Sequence, residues 1–116
     1  MARKISRERI GQILKAILIE IKNVGGEARV RDIFPIVELK LNLNEYELET
    51  LERSGHKRWR IRARFNSVMC TKAGYITKSG GKWKLTSLGE KAIKNSDSEF
   101  TLGGLAAYRA WDKSRK

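Results

Sequence analysis

The stretch from His56 to Thr86 constrains this chain more than any other. Lys57, Arg58, Arg60, Arg62 and Arg64 place five cations in eight positions, with no acid among them. Helical periodicity continues to Ala73, stops at Gly74, and gives way to two short extended pieces. These are Tyr75-Ile76-Thr77 and Trp83-Lys84-Leu85-Thr86, joined through Lys78-Ser79-Gly80-Gly81-Lys82. Adjacent glycines permit the tight turn of a hairpin. Alternation then places Trp83 and Leu85 on a core-facing side and Lys82 and Lys84 on the other, with Lys78 expected to project beside them.

A helix over 57–73 has two faces that can be separated at about 100° per residue. Phe65, Met69 and Ala73 share an apolar sector, with Ile61 and Val68 at its edge. Lys57, Arg60, Arg64, Ser67 and Thr71 lie roughly opposite and are expected to face outward. Arg58 and Arg62 border the apolar side, so their stems should run along it while the charged heads reach solvent.

The flanking segments read as a small helical domain. Ile10, Ile13, Leu14, Ile17, Leu18 and Ile21 follow the spacing of one helix face over 6–23, with Ser6 placed to cap it and Gly25-Gly26 to end it. Residues 27–30 read as extended. Asp32 is expected to cap a second helix over 33–41, with Pro35 tolerated in its first turn. Asn44 and Glu47 form a capping-box pattern for a short third helix. Thr86 caps a further helix over 88–94. The polar run Asn95-Ser96-Asp97-Ser98 suggests a boundary, so residues 1–95 are read as the domain and 96–116 as a helical extension or linker. Leu105, Tyr108 and Trp111 line one side of that extension.

At 116 residues there is room for one domain with a modest core. The formal charge of +12 attracts phosphate backbones, anionic surfaces or acidic proteins. Glu45, Glu47, Glu49 and Glu52 cluster just before the basic segment, which predicts separate acidic and basic patches. Gln12, Lys15 and Glu20 interrupt the most apolar run, which is too short and too charged to span a bilayer. No secretory leader is evident after Met1, and the lone Cys70 excludes an internal disulfide. A cytoplasmic, nucleoid-associated protein is expected.

Enzyme signatures are weak. Glu38-Leu39-Lys40, with Asp32 upstream, and Glu20-Ile21-Lys22 match a nuclease-like Glu-x-Lys pattern, but both lie in helical segments. His56 has no second histidine with which to hold a metal, and neither glycine pair has phosphate-loop spacing. No catalytic residue, metal or other cofactor is expected.

Two runs carry a family resemblance: Cys70-Thr71-Lys72-Ala73-Gly74-Tyr75-Ile76 and Gly81-Lys82-Trp83-Lys84-Leu85-Thr86-Ser87-Leu88-Gly89. They resemble the N-terminal domain of Mrr-type restriction endonucleases, in which a helix ends at Ala-Gly-Leu-Ile and a Gly-Trp-x-Leu-Thr-x-x-Gly hairpin follows. Tyr75 stands where leucine is usual, and Phe65 and Cys70 stand at the family's tryptophan and leucine core positions. The similarity covers most of residues 8–95 and is strongest over 58–93. It implies a winged-helix DNA-binding module, normally joined to a separate nuclease domain that cuts modified DNA and would follow residue 116.

The sequence therefore predicts an α+β, mostly helical, winged helix-turn-helix that binds double-stranded DNA. Lys57, Arg58, Arg60, Arg62, Arg64, Ser67 and Thr71 would meet the major groove, and Lys78, Lys82 and Lys84 would grip the backbone as a wing. Arg3, Lys4, Arg7 and Arg9 would add phosphate contacts. Two alternatives share the fold and charge: a free-standing repressor, dimeric through the first or last helix, and an adaptor or inhibitor that binds an acidic protein surface.

Overall fold

A computed structural model describes residues 3–115. Helix α1 (Arg7–Asn23) runs through the centre, and the Ser6 hydroxyl accepts the Arg9 amide at 3.1 Å to cap it. The six aliphatic residues of its stripe are all buried. They pack against α2 (Val30–Lys40), α4 (Arg58–Asn66), α7 (Asp97–Ser114) and the sheet. Each such side chain contributes roughly 2 kcal/mol of burial, so α1 organises the core.

The sheet is antiparallel, in the order β1-β3-β2, from β1 (Glu27–Arg29), β2 (Ile76–Ser79) and β3 (Lys82–Leu85). Ala28 pairs with Trp83, and Ile76 with Leu85, which sets the apolar residues on the inner face. Helix α3 (Glu45–Leu48) carries both halves of the expected capping box: Asn44 Oδ1 accepts the Glu47 amide at 2.8 Å, and Glu47 Oε1 accepts the Asn44 amide at 3.0 Å. This is an α+β, winged-helix-like fold, mostly helical as expected. Among the described residues, no helix is long and apolar enough to cross a membrane.

The family-like motif has a direct structural meaning. Ala73 is the C-cap of α5 (Val68–Lys72), and Gly74 follows at φ 77°, a region that strains other residues. The Gly74 amide reaches the Thr71 carbonyl, and the Tyr75 amide reaches the Cys70 carbonyl at 2.8 Å, closing a Schellman turn. Thr86 caps α6 (Ser87–Ala92) by accepting the Gly89 amide at 3.0 Å. A side chain at Gly89 would collide with the Tyr75 carbonyl, so helix α6 can approach the strand only through glycine.

Three local expectations are corrected. Helix α2 starts at Val30 directly off β1 rather than after Asp32, so Pro35 falls well inside it. Burial of Val30, Ile33, Phe34 and Val37 along one stripe outweighs the cap preference of Asp32. The expected single helix over 57–73 is two helices that meet at Ser67. There the Ser67 hydroxyl donates to the Arg64 carbonyl at 2.6 Å, and the Cys70 amide reaches back only three residues, to Ser67. Such back-bonding by serine bends helices. The third correction is the inward face of α4, which carries Trp59 and Ala63; Phe65 is 75% exposed.

Trp59 sets that orientation. It is fully buried and meets the Phe34 ring edge-on at 5.0 Å. Turning Phe65 inward would expose the larger indole. Helix α7, beyond the expected boundary, packs on α1 and α5, with Phe100 and Thr101 buried and Thr101 directly against Gly11. Tyr75 joins this contact, its ring 5.3 Å from that of Phe100.

Candidate nucleic-acid interface

The cations of α4 divide according to what they touch. Glu38, on α2, accepts Lys57 Nζ at 2.9 Å through Oε2. Its Oε1 accepts Trp59 Nε1 at 2.9 Å and Arg60 Nε and Nη2 at 3.1 and 2.9 Å. Burial pushes this carboxyl upward, but the hydrogen bonds from Lys57, Trp59 and Arg60 outweigh it and hold Glu38 below the ordinary carboxylate range. Lys57 and Arg60 are thus tied down by an internal acid.

Arg58 turns the other way. Its guanidinium donates to the Tyr46 carbonyl at 2.8 Å and to Glu49 at 3.1 Å, and it stacks 3.9 Å from the Tyr46 ring centroid. Arg9 likewise engages Glu47 at 2.8 Å. The expected separation into acidic and basic patches is therefore only partial: Glu47 and Glu49 are each bridged by an arginine.

Arg62 and Arg64 are exposed and, among the described residues, make no ion pair. Arg64 lies over the Phe34 ring at 5.2 Å. Ser67, expected to face outward, is buried, and its hydroxyl also accepts the ammonium of Lys78. Thr71 is half-buried and donates to the Val68 carbonyl at 2.8 Å.

On the hairpin, Lys82 and Lys84 are exposed on the outer face as expected. Lys78 is not part of that outer row. It stands opposite Trp83 in the ladder, so it shares the inner face, and its ammonium lies 4.7 Å from the Trp83 ring. Burial, with the charge of Arg64 nearby, holds Lys78 below the ordinary lysine range. Lys78 thus ties the hairpin to the α4–α5 junction.

Two clefts flank the outer edge of α4. One, of about 350 Å³, is lined by Arg31, Phe34, His56, Arg60, Ile61 and Arg64. The other, of about 370 Å³, lies between Phe65 and the end of α7 and includes Tyr108, Trp111 and Arg115. Lys72 and Arg115 lie 4.1 and 4.4 Å from the centre of the Trp111 ring, and Arg115 is also paired with Asp112 at 3.1 Å. Sequence reasoning missed Arg31 and Arg115 because each lies far along the chain from the basic run.

The two Glu-x-Lys triplets are spent structurally. Glu38 holds the cations named above, while Glu20 accepts Lys40 at 2.9 Å. Among the described residues, no group of three His, Cys, Asp or Glu side chains could hold a metal ion.

The family model for the Mrr N-terminal domain matches residues 11–95, most of the chain. The chain belongs to the Mrr N-terminal domain family. No curated protein and no solved structure matches it. The match to the Mrr N-terminal domain takes in the sheet, the split helix α4–α5 and α6, and stops just before α7. It is a match to an N-terminal domain and not to a catalytic nuclease. Cys70 occupies a buried position, as the resemblance to Mrr N-terminal domains implied, whereas Phe65 does not.

Proposed function

We propose that this domain binds double-stranded DNA, with the outer edge of α4 in the major groove and the β2–β3 hairpin against the flanking backbone, in the setting of a restriction system. The observation that carries this reading is the set of exposed cations without acidic partners: Arg62 and Arg64 on the helix, Lys82 and Lys84 on the hairpin. Among the described residues none of the four makes an ion pair, although Glu27 stands opposite Lys84 in the ladder, and a phosphate backbone would neutralise them. Arg31 lines the same side of the molecule as Arg64 and adds to the charge there. Arg64 is the residue best placed to read a guanine edge, since Arg60 is held by Glu38. The restriction setting rests on family membership.

Lys57, Arg58 and Arg60 have a different role in this reading. They hold α4 in place through Glu38, Glu49 and Tyr46, so they position the interface more than they form it.

The test is a fluorescence anisotropy titration of labelled duplex at several salt concentrations. Five to six neutralised phosphates give a slope of log affinity against log salt near about −5. Absence of binding at low salt would overturn the reading and direct attention to an acidic protein partner.

A further inference from the structure

Helix α4 carries an apolar ridge that folding leaves unused. Phe65 is 75% exposed, and it alone among the aromatic side chains of the described residues stands mostly in solvent. Ile61, one turn earlier and partly buried, lies on the same edge of the helix. At about 100° per residue the ridge lies between Arg64, which lines the first cleft with Arg31, and the exposed Arg62 on its other side. An apolar crest between two basic flanks is the profile of an element that lies in a groove with a phosphate strand on either side.

We infer that the Ile61–Phe65 ridge is the base-contacting edge of this domain and reads the C5-methyl groups of thymine in the major groove. The inference rests on the double-stranded DNA reading given above. A major groove about 12 Å wide admits a helix, and the thymine methyl is the apolar group among the donors and acceptors presented there. An apolar crest gains from that contact and loses against bare polar base edges. A second copy of the chain is a poor occupant. Helix α4 contains four arginines and no acid, so two such ridges packed about a two-fold axis would bring Arg62 and Arg64 against their own counterparts. A polyanion meets the same cations favourably.

The experiment compares a short alternating adenine–thymine hairpin duplex with its adenine–uracil counterpart, which lacks only the methyl groups. Affinities of the full chain, of Phe65→Ala and of Phe65→Leu are measured by anisotropy at fixed salt. The unaltered protein is expected to favour the thymine duplex by about fourfold for each methyl it covers. Phe65→Ala should bring the ratio of the two affinities close to one, and Phe65→Leu should keep most of it. Because Phe65 is exposed, the melting temperature of both variants should stay near that of the unaltered protein.

Equal affinity of the unaltered protein for the two duplexes would overturn the inference, and that comparison depends on no variant. A thymine preference that survives Phe65→Ala would do the same. In either case, salt-steep binding to both duplexes would leave the DNA-binding reading standing. No binding to either duplex would remove both. A solution dimer dispersed by Phe65→Ala would identify the ridge as a self-contact and also overturn the inference.

Discussion

Glu38 on α2 accepts the indole Nε1–H of the buried Trp59 at 2.9 Å. Through the same carboxylate it holds Lys57 and Arg60, so one acid fixes how the basic helix is rotated on the core. The rotation in turn decides which cations face solvent. Inward-facing Trp59 and Ala63 leave Arg62, Arg64 and Phe65 outside.

Removing that acid has two opposed effects. Glu38→Ala leaves the Trp59 indole without a partner and should cost about 1–3 kcal/mol. It also frees Lys57 and Arg60, so on the DNA-binding reading the surviving folded protein should bind duplex more tightly and with a steeper salt dependence. Chemical denaturation and a salt titration of the same variant check both parts.

Acid should weaken the fold through two glutamates. Glu47 is buried, which pushes its carboxyl upward, but hydrogen bonds from Arg9 and the Asn44 amide, with the charge of Arg9, hold it below the ordinary value of 4.5. Glu38 is lowered in the same net direction. A carboxylate with a folded value below its unfolded one stabilises the fold above the unfolded value and loses that contribution as pH falls through the folded one. Melting temperature should therefore be insensitive to these groups near neutrality and decline below about pH 4.5. Glu38→Gln should make the decline shallower, measured by thermal denaturation across pH.

Gly89 tests the meaning of the shared motif. Its replacement by alanine places a methyl group against the Tyr75 carbonyl, so α6 must shift away from β2. Gly89→Ala should lose at least about 1–3 kcal/mol, the ordinary cost of overpacking, by equilibrium unfolding. Ser87, exposed on the same helix, should tolerate alanine with little change.

Cys70 should be unreactive in the folded protein. It is fully buried, and burial pushes its thiol up to about 12, with Lys78 only partly offsetting this. Labelling by a thiol reagent at neutral pH should be slow, scaled down by the small population of the opened state, and should become fast in denaturant.

Much of this structure was legible in the sequence. The aliphatic stripe of α1, the Asn44–Glu47 capping box and the hairpin alternation around Trp83 are local patterns, and local physics decided them. One wheel over 57–73 does not give the faces of α4, because the helix bends at Ser67 and Trp59, not Phe65, takes the core position. The spacing of Trp59, Ala63, Ser67 and Cys70 carried the correct signal, yet Ser67 reads as polar until its hydroxyl is seen bonded to Arg64 and Lys78. The long-range pairs were out of reach for a different reason. Nothing in the sequence near Arg60 indicates Glu38, and nothing near Arg58 indicates the Tyr46 carbonyl. Such pairings depend on how separate helices cross.

On the DNA-binding reading, the exposed cations of α4, and not its internally paired ones, meet DNA. The most direct measurement is the salt dependence of duplex binding for a double variant, Arg62→Ala with Arg64→Ala, beside Arg58→Ala. The double variant should lose affinity on every sequence, most where a guanine is read, and make the log–log slope shallower by at least about one, while Arg58→Ala leaves the slope where it was. An unchanged slope in the double variant, or an equal loss in Arg58→Ala, would contradict the claim.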